Sequence, residues 1–383
     1  MNFSLFSVIN LLGVVQSIFF SGFLLQLGRK AGKAHFILLG FLVCFALVQL
    51  NDVFEDSGVL YKYPHLISIL PVLVFLLGPL IYFYVLALTR NNFWFSWVHL
   101  IHLLPMMILF TLLIPQYMLG AEEKRMLLTE KPGNGDIILA CIAILQVAIY
   151  FIYALKIIYQ HSVTIKNYFS QIERLSLNWL VGLIAALSVI WLIWLLNTLA
   201  PSSVLKYTEA VLFTVAVYWM GLKGIKQPDI FMKFQGQDSQ PKEVKTDIPA
   251  KKYEKSGIAK NRIEAALDAL DHCMKVKKLY RQNELTLAQL ADNVGIPNHH
   301  LSQLLNERLN SNFYDYVNGY RVEEVKSELI KEETNRFTIL AIALDAGFNS
   351  KASFNKAFKK HSGFSPSEFK ARESELRLTS EKK

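Results

Sequence analysis

Charge is scarce over the first three-fifths of this sequence. Of the first 227 residues only 23 are Asp, Glu, Lys or Arg, about a tenth, whereas soluble domains carry roughly a quarter. Such a composition excludes a surface exposed to water on all sides. From Lys251 onward 41 of the last 133 residues are charged, which is typical of a soluble domain. Residues 227–256 join the two regions, and their prolines and mixed charges without an apolar period predict a linker.

Cysteine and the common catalytic signatures are scarce or missing as well. Cys44, Cys141 and Cys273 lie far apart in the sequence, so neither a disulfide framework nor a CxxC metal site is indicated. The chain lacks a Walker loop, an HExxH helix, a GxSxG elbow and a kinase-type glycine-rich loop. The adjacent His299 and His300 would point about 100° apart on a helix, which argues against a metal site. We therefore expect a protein that is not an enzyme and binds no cofactor or metal.

Long apolar runs take the place of charge in the first part of the chain. Each is close to the roughly 20 residues that a helix needs to cross a bilayer, and helices satisfy their own backbone groups in lipid. The alternative for any single run is a buried helix of a soluble protein. No Lys or Arg precedes the first run, so we interpret it as a retained span rather than a signal peptide. The seven runs cover about 5–27, 34–52, 64–88, 97–119, 136–159, 177–199 and 203–223. We predict an all-α fold with a seven-helix transmembrane bundle over residues 1–226.

Lysine and arginine are unevenly distributed among the loops of this bundle. They concentrate after the odd-numbered runs, whereas the other loops mix Lys with Asp and Glu. The positive-inside rule therefore places the N-terminus outside and the charged C-terminal region in the cytoplasm. The basic loop residues are Arg29, Lys30, Lys33, Arg90, Lys156, Lys166, Arg174, Lys223, Lys226 and Lys233.

Polar side chains in the apolar runs are candidates for a ligand pocket, because they are costly in lipid and are often functional there. Each has an alternative role: Gln and Asn hold helices together, Asp52 lies at the end of a run, and Lys206 can pair with Glu209. His99 and His102 share a helix face, where an interfacial pair is favoured over a metal site. The ligand-binding candidates are Gln49, Asn51, Asp52, His102, Gln146, Asn197 and Glu209.

The charged region contains one helical pattern twice. A Thr, a buried-type residue followed by Ala, and then a Gly occur over Thr286–Gly295 and again 52 residues later over Thr338–Gly347. A second helix with two apolar residues four apart follows each copy. A helix, a glycine turn and a second helix form the arrangement that places a recognition helix in the major groove of DNA. Residues 286–308 and 338–361 are therefore predicted to be two helix-turn-helix units, joined by a helix over about Asn312–Lys331.

The second helix of each unit is predicted to present polar side chains to double-stranded DNA. In the first unit, over about 298–308, the leucines face inward and hydrogen-bonding tips face outward. In the second there are four lysines and no acid over 351–360, which suits phosphate contacts. The alternatives are a solvated face for Lys359 and Lys360, and a helical interaction module that has lost its DNA. The candidate DNA-binding residues are His299, Ser302, Gln303, Asn306, Lys351, Ala352, Ser353, Asn355, Lys356, Lys359 and Lys360.

This region resembles the C-terminal domain of the AraC/XylS family of bacterial transcriptional regulators. The resemblance covers about Asn261–Arg372, and its most specific strings are GFNSKASFNKAFKK at 347–360 and GFSPSEF at 363–369. It implies base contacts at outward positions of both recognition helices, and therefore a DNA-binding domain at 257–376, followed by a tail at 377–383. The family often has Arg where this chain has Gln303 and Lys356, so the target sequence does not transfer. The implied base-contacting residues are His299, Ser302 and Gln303, then Lys351, Ala352, Ser353 and Lys356.

The apolar region resembles the seven-span sensor found fused to such domains in some family members. The similarity lies in GPLIYFY at 78–84, in His102-x-x-Pro105, and in Gly221 with the Gln227-Pro228-x-x-Phe231 stretch. It implies a one-component regulator in the bacterial cytoplasmic (inner) membrane. Its partners would be double-stranded DNA, the lipid bilayer, RNA polymerase and a small-molecule or envelope signal. The apolar positions of the helix at 258–278 predict either a homodimer with a second copy or packing on the first helix-turn-helix unit. The alternatives are a transporter or channel with a regulatory DNA-binding tail and a membrane enzyme.

Overall fold

The computed structural model describes residues 4–27, 32–90, 93–129, 133–226, 260–331 and 336–380. The predicted linker at 227–256 and the loop residues Arg29, Lys30 and Lys233 lie outside these ranges. Within them the fold is all-α, as predicted, and contains no β-strand. The chain divides into two compact units. The first consists of residues 1–161 and 177–231, and the second of residues 162–176 and 232–383.

The first unit is built from apolar helices joined by short turns. Its 3-10 turns lie at Pro64–Leu66, Pro71–Leu73 and Trp97–Leu103. Its helices are α1 (Leu5–Leu27), α2 (Gly32–Asp56), α3 (Val59–Lys62), α4 (Val74–Thr89), α5 (Leu104–Leu112), α6 (Ile114–Tyr117), α7 (Ala121–Leu127), α8 (Asn134–Tyr168, whose last seven residues belong to the second unit), α9 (Asn178–Leu199) and α10 (Ser203–Lys226).

Five stretches among the described residues are long and apolar enough to cross a membrane: α1, α2, residues 64–89, α8 and α9. The predicted run at 97–119 instead forms a 3-10 turn and two short helices, α5 and α6. Pro105 and Pro115 lie in the first turns of α5 and α6, where a proline is tolerated because the N–H that it lacks would have no partner within the helix. The last predicted run is the continuous helix α10, whose Lys and Glu residues lower its apolar character. The seven-span count therefore remains a prediction.

Helix α1 buries several polar side chains beside apolar ones and leaves other large apolar side chains exposed. Ser7, Asn10 and Ser17 are at most 1% exposed, whereas Ile18 and Phe19 are 62% and 67% exposed. In a soluble protein this distribution would be reversed, because exposed apolar area costs free energy in water. Small interhelical residues and buried polar groups are instead typical of helices packed in lipid.

Glycines allow α10 to pack closely on α1 and α2. A Cβ added at Gly221 would lie 2.3 Å from the Phe20 ring, and one at Gly224 would lie 2.3 Å from a Leu38 methyl group. These distances are shorter than any real Cβ contact, so the helices approach each other through the missing side chains. Packing of this kind replaces the hydrophobic effect as the main source of helix association in lipid.

The second unit contains seven helices and one further turn among its described residues. The turn at Leu279–Arg281 is a 3-10 helix. The helices are α11 (Lys260–Lys275), α12 (Leu287–Val294), α13 (Asn298–Arg308), α14 (Phe313–Ile330), α15 (Ile339–Asp345), α16 (Lys351–Ser362) and α17 (Pro366–Ser380).

Helix α14 connects two separate hydrophobic cores. Its first half packs with α11, α12 and α13 through Phe313 and Val317. Its second half packs with α15, α16 and α17 through Val322 and Val325. The predicted connector is thereby confirmed as a continuous helix of 18 residues, about 27 Å long at 1.5 Å per residue. One rigid element therefore sets the separation of the two helix pairs.

Candidate nucleic-acid interface

The first helix pair begins at a capping box and turns at a glycine, as predicted. The Thr286 hydroxyl accepts a hydrogen bond from the Gln289 backbone N–H at 3.3 Å, and the Gln289 side chain accepts one from the Thr286 N–H at 2.9 Å. This satisfies two donors at the start of α12 that have no partner within the helix. Gly295 ends α12 with a φ of +79°. Helix α13 then begins at Asn298 and buries Leu301, Leu304 and Leu305 against α12.

The second helix pair follows the same plan with tighter packing. Thr338 caps α15 by accepting from the Ala341 N–H at 3.1 Å, and Ser350 caps α16 by accepting from the Ser353 N–H at 3.1 Å. The intervening Gly347 has a φ of +103°, and a Cβ there would lie 2.6 Å from the Tyr280 carbonyl oxygen. The second turn therefore rests directly on the backbone that precedes α12. Phe337 is about half exposed and stays outside the core, unlike its counterpart Leu285.

The predicted DNA-binding residues of α13 lie on its outward side. His299 and Asn306 are exposed, and Ser302 and Gln303 are half-buried. The Asn306 amide donates to the Ser302 carbonyl at 2.8 Å, and the Gln303 amide donates to Glu307 at 3.0 Å. These short contacts within one exposed helix are the kind that a base edge can replace. The arrangement is compatible with the predicted DNA contact without testing it.

The predicted DNA-binding residues of α16 form a basic exposed face. Ala352, Asn355 and four lysines are exposed, and Ser353 is half-buried with its hydroxyl donating to the Ser350 carbonyl. Lys360 has a structural partner, because its ammonium donates to Asp315 of α14 at 2.5 Å. The three lysines Lys351, Lys356 and Lys359 make no ion pair among the described residues.

A segment from between α8 and α9 completes this unit. The Ser170 N–H and hydroxyl both donate to the Leu285 carbonyl, at 3.2 and 2.7 Å. Phe169 forms an isolated antiparallel bridge with Thr286. The contacts connect residues that are about 115 positions apart in the chain, directly before the first predicted recognition unit.

Buried Arg321 anchors the same segment. Its side chain is 1% exposed and donates to the carbonyls of Tyr280 and Gln282, both at 2.7 Å, and to the Ser170 hydroxyl at 3.3 Å. Burial lowers the pKa of Arg321 to about 10, so the guanidinium keeps its proton at neutral pH. A buried charge needs such a shell of hydrogen-bond acceptors, and the segment provides part of it.

The segment also reaches the start of the second predicted recognition helix. The Glu173 carboxylate accepts a hydrogen bond from the Ser350 hydroxyl at 2.6 Å, and the Gln171 side chain accepts one from Asn349. Ser350 is the N-cap of α16. A helix N-terminus favours negative charge, and Glu173 supplies one there. Sequence analysis missed both residues, because no local pattern marks a contact across 177 positions.

The ligand-pocket candidates of the first unit separate into two groups. Gln49, Asp52, Asn197 and Glu209 line one cavity of about 270 Å³ between α1, α2, α9 and α10. The other three do not line it. His102 is bonded to the Tyr150 hydroxyl at 2.6 Å, Gln146 donates to the Phe75 carbonyl at 3.1 Å, and Asn51 is half-buried on α2.

Comparison with known proteins bears on the second unit. Residues 290–372 match the family model described as a helix-turn-helix domain. An uncharacterized HTH-type transcriptional regulator of Staphylococcus aureus (strain COL) is 33% identical over 93 residues, which cover 24% of this chain and 12% of that protein. The arabinose operon regulatory protein of Salmonella typhimurium (strain LT2) is 28% identical over 101 residues, 26% of this chain and 35% of that protein.

The family model matches the C-terminal part of the chain. A solved structure of a protein of unknown function from Listeria innocua is 27% identical, with a TM-score of 0.24, and covers 27% of this chain and 93% of that one. The chain spans about an eighth of the length of the staphylococcal relatives and about a third of the Salmonella protein. Residues 290–372 are therefore a helix-turn-helix domain of the AraC type, a module that binds DNA.

Proposed function

We propose that this chain is a membrane-embedded one-component transcriptional regulator. Two helix-turn-helix units, at 286–308 and 338–361, bind specific DNA, and a signal sensed by a transmembrane bundle controls that binding. The exposed apolar side chains of α1 and the five long apolar stretches support the membrane location. The regulators that resemble residues 290–372 support transcription control. The positive-inside rule supports a cytoplasmic DNA-binding domain, which is where a bacterial chromosome is accessible.

The observation that carries the proposal is that two separate stretches of the chain form the second unit. Residues 162–176 belong to it, although they form the end of α8 and the turn that leads to α9, two helices apolar enough to cross a membrane. A movement of α8 or α9 therefore pulls on a segment whose Glu173 is bonded to the N-cap of α16. We propose that this contact holds DNA binding low, because a carboxylate at the helix N-terminus excludes a phosphate from the same donors. A signal that withdraws the segment would expose them.

DNA reading is tested by mapping genome-wide occupancy of the full-length protein beside a Lys351→Glu/Lys356→Glu variant. We expect sharp peaks that share a sequence motif and disappear in this variant. A Lys275→Glu/Lys277→Glu variant makes the same charge change at the last residue of α11 and just after it, where both lysines are exposed, and it should keep the peaks. Diffuse occupancy that neither variant changes would contradict sequence-specific binding, and loss of the peaks in both variants would contradict the role assigned to α16.

Control by the segment is tested with Glu173→Gln, which removes the negative charge and keeps the shape. We expect tighter DNA binding by the purified full-length protein, by about three- to tenfold, since one charge-assisted contact of roughly 1 kcal/mol is relieved. Glu307→Gln removes a charge from the exposed face of α13, beside Gln303, and serves as the comparison for a simple loss of repulsion. Equal gains in the two variants would show that the effect is general electrostatics rather than release of the segment.

A further inference from the structure

The cavity in the first unit has the features of a binding site. Its volume of about 270 Å³ is just below the range of about 300–1,000 Å³ that is typical of small-molecule sites. Asp52 lies in the last turns of α2 and Glu209 in the first turns of α10. In the proposed topology both helix ends are on the outer side of the membrane, so a ligand would arrive from outside the cytoplasm.

An unpartnered amide points to a ligand. Gln49 is 2% exposed and lines this cavity. Neither its amide nitrogen nor its amide oxygen has a hydrogen-bond partner among the described residues. Buried polar groups are nearly always satisfied, because leaving them without a partner costs free energy. Asn197 differs, since its side-chain oxygen accepts from the Ser202 N–H at 3.1 Å.

The charges around the cavity favour a cation. Asp52, Glu55 and Glu209 line it, opposed by a single basic residue, Lys206. That lysine is already engaged, because its ammonium lies 3.5 Å from an Asp56 oxygen and 4.0 Å from the centre of the Phe6 ring. Asp52 and Glu209 both line this small cavity, where a positive ligand relieves the repulsion between carboxylates.

The walls of the cavity favour an organic cation over a metal ion. Five of the lining residues are aromatic, and the face of an aromatic ring attracts an ammonium group. Recognition of alkylammonium groups relies on such rings together with carboxylates, whereas hard metal ions need several oxygen ligands at short distance. The aromatic lining residues are Phe6, Phe45, Trp191, Trp194 and Phe213.

We propose that this cavity binds a small organic amine. Its ammonium group lies between Asp52 and Glu209, its apolar body packs on Trp191 and Trp194, and the Gln49 amide bonds a polar group that the body carries. The inference rests on the proposed function, for which it supplies the class of signal. Binding of such a cation joins α2 to α9 and α10, and α9 continues directly from the segment that holds Glu173.

Three phenyl compounds of similar shape test the assignment on the purified full-length protein without DNA. They are 2-phenylethylamine as the cation, 2-phenylethanol as the neutral analogue and 3-phenylpropionate as the anion. Quenching of tryptophan fluorescence reports binding, because Trp191 and Trp194 line the cavity. We expect saturable binding of the amine and at least tenfold weaker binding of the other two. Equal binding of all three, or no saturable binding of the amine at millimolar concentration, would overturn the proposal.

Variants locate the site. Asp52→Asn and Glu209→Gln should each weaken amine binding at least tenfold. Glu122→Gln alters an acid of the same unit whose side chain is 80% exposed and pairs with Arg125, and it should leave binding unchanged. Gly13→Ala keeps every charge but places a Cβ 2.4 Å from the present position of the Gln49 amide oxygen, so it should displace that amide and weaken binding. Unchanged affinity in all three cavity variants would refute the site.

The response of DNA occupancy separates the two proposals. One outcome is that the wild-type protein binds the amine, the cavity variants lose this binding, and DNA occupancy does not respond to the amine. This outcome would support the binding site and contradict sensing by the regulator. Sequence-specific occupancy without any amine binding would leave the regulator intact and refute the ligand class.

Discussion

A single methyl group added at Gly347 should disrupt the contact between the turn before α16 and the backbone before α12. Its φ of +103° and the 2.6 and 2.8 Å distances from an added Cβ to the Tyr280 and Arg281 carbonyl oxygens are both unfavourable for alanine. Positive φ costs a non-glycine residue about 1–2 kcal/mol, and forcing an extra carbon into a packed site costs about 1–3 kcal/mol. We expect Gly347→Ala to lower the free energy of unfolding of the second unit by about 2–5 kcal/mol.

Gly363 provides a matched control within the same helix pair. Its φ is +79°, but an added Cβ there meets nothing within 4 Å, so Gly363→Ala carries the backbone cost alone, about 1–2 kcal/mol. Hydrogen exchange of α16 amides in the detergent-solubilised full-length protein measures both changes under one condition. If Gly347→Ala destabilises these amides no more than Gly363→Ala does, the close approach of the turn to residues 280 and 281 is not a rigid contact, and the reasoning fails.

Two further changes test the interactions that support the interface. Arg321→Lys keeps the charge but loses the planar set of donors. We therefore expect a loss of about 2–4 kcal/mol in the free energy of unfolding and faster hydrogen exchange of the Ser170 amide. Unchanged exchange at Ser170 would show that Arg321 does not hold the segment. Burial alone would raise the pKa of the Glu324 carboxyl, but hydrogen bonds from Arg281 and Lys278 outweigh it and lower that pKa. This group therefore stabilises the fold fully above its ordinary pKa near 4.5, and the stabilisation is lost as the pH falls through the lowered value. Glu324→Gln should lower stability by about 1.5–3 kcal/mol at neutral pH and flatten the fall of stability below pH 4.5; an unchanged acid profile would contradict the assignment.

Local patterns in the sequence predicted most of the second unit. The Thr and Gly of each repeat and the apolar residues four apart locate α12, α13 and α16 closely, because such patterns act within a few residues of chain. The same reasoning predicted Lys360 as a DNA contact, whereas its ion pair with Asp315 depends on a helix 45 positions away.

Longer-range features could not be read from the sequence. The contacts of residues 169–173 with Leu285, Arg321 and Ser350 span 115 to 177 positions and depend on how α14 and α16 are packed. In the first unit, Gln49, Asp52, Asn197 and Glu209 were recognised as polar residues in apolar runs. The sequence could not tell that these four residues line one cavity and that His102 and Gln146 do not, because this depends on how α1, α2, α9 and α10 pack. The run at 97–119 contains two prolines, which lie in the first turns of α5 and α6. A count of apolar residues does not report where such short helices begin.

Because the second unit is formed by two separate stretches of the chain, a single proteolytic cut would not free it. A cut within 227–256 breaks one covalent attachment, but residues 162–176 remain joined to α8 and α9 and still hold Leu285, Arg321 and Ser350 by hydrogen bonds. A soluble fragment that begins after the cut would lack the Ser170 acceptors of its buried arginine. Separation of the second unit from the first therefore requires dissociation as well as cleavage, and a fragment cloned without residues 162–176 would lack part of the domain that the intact protein forms.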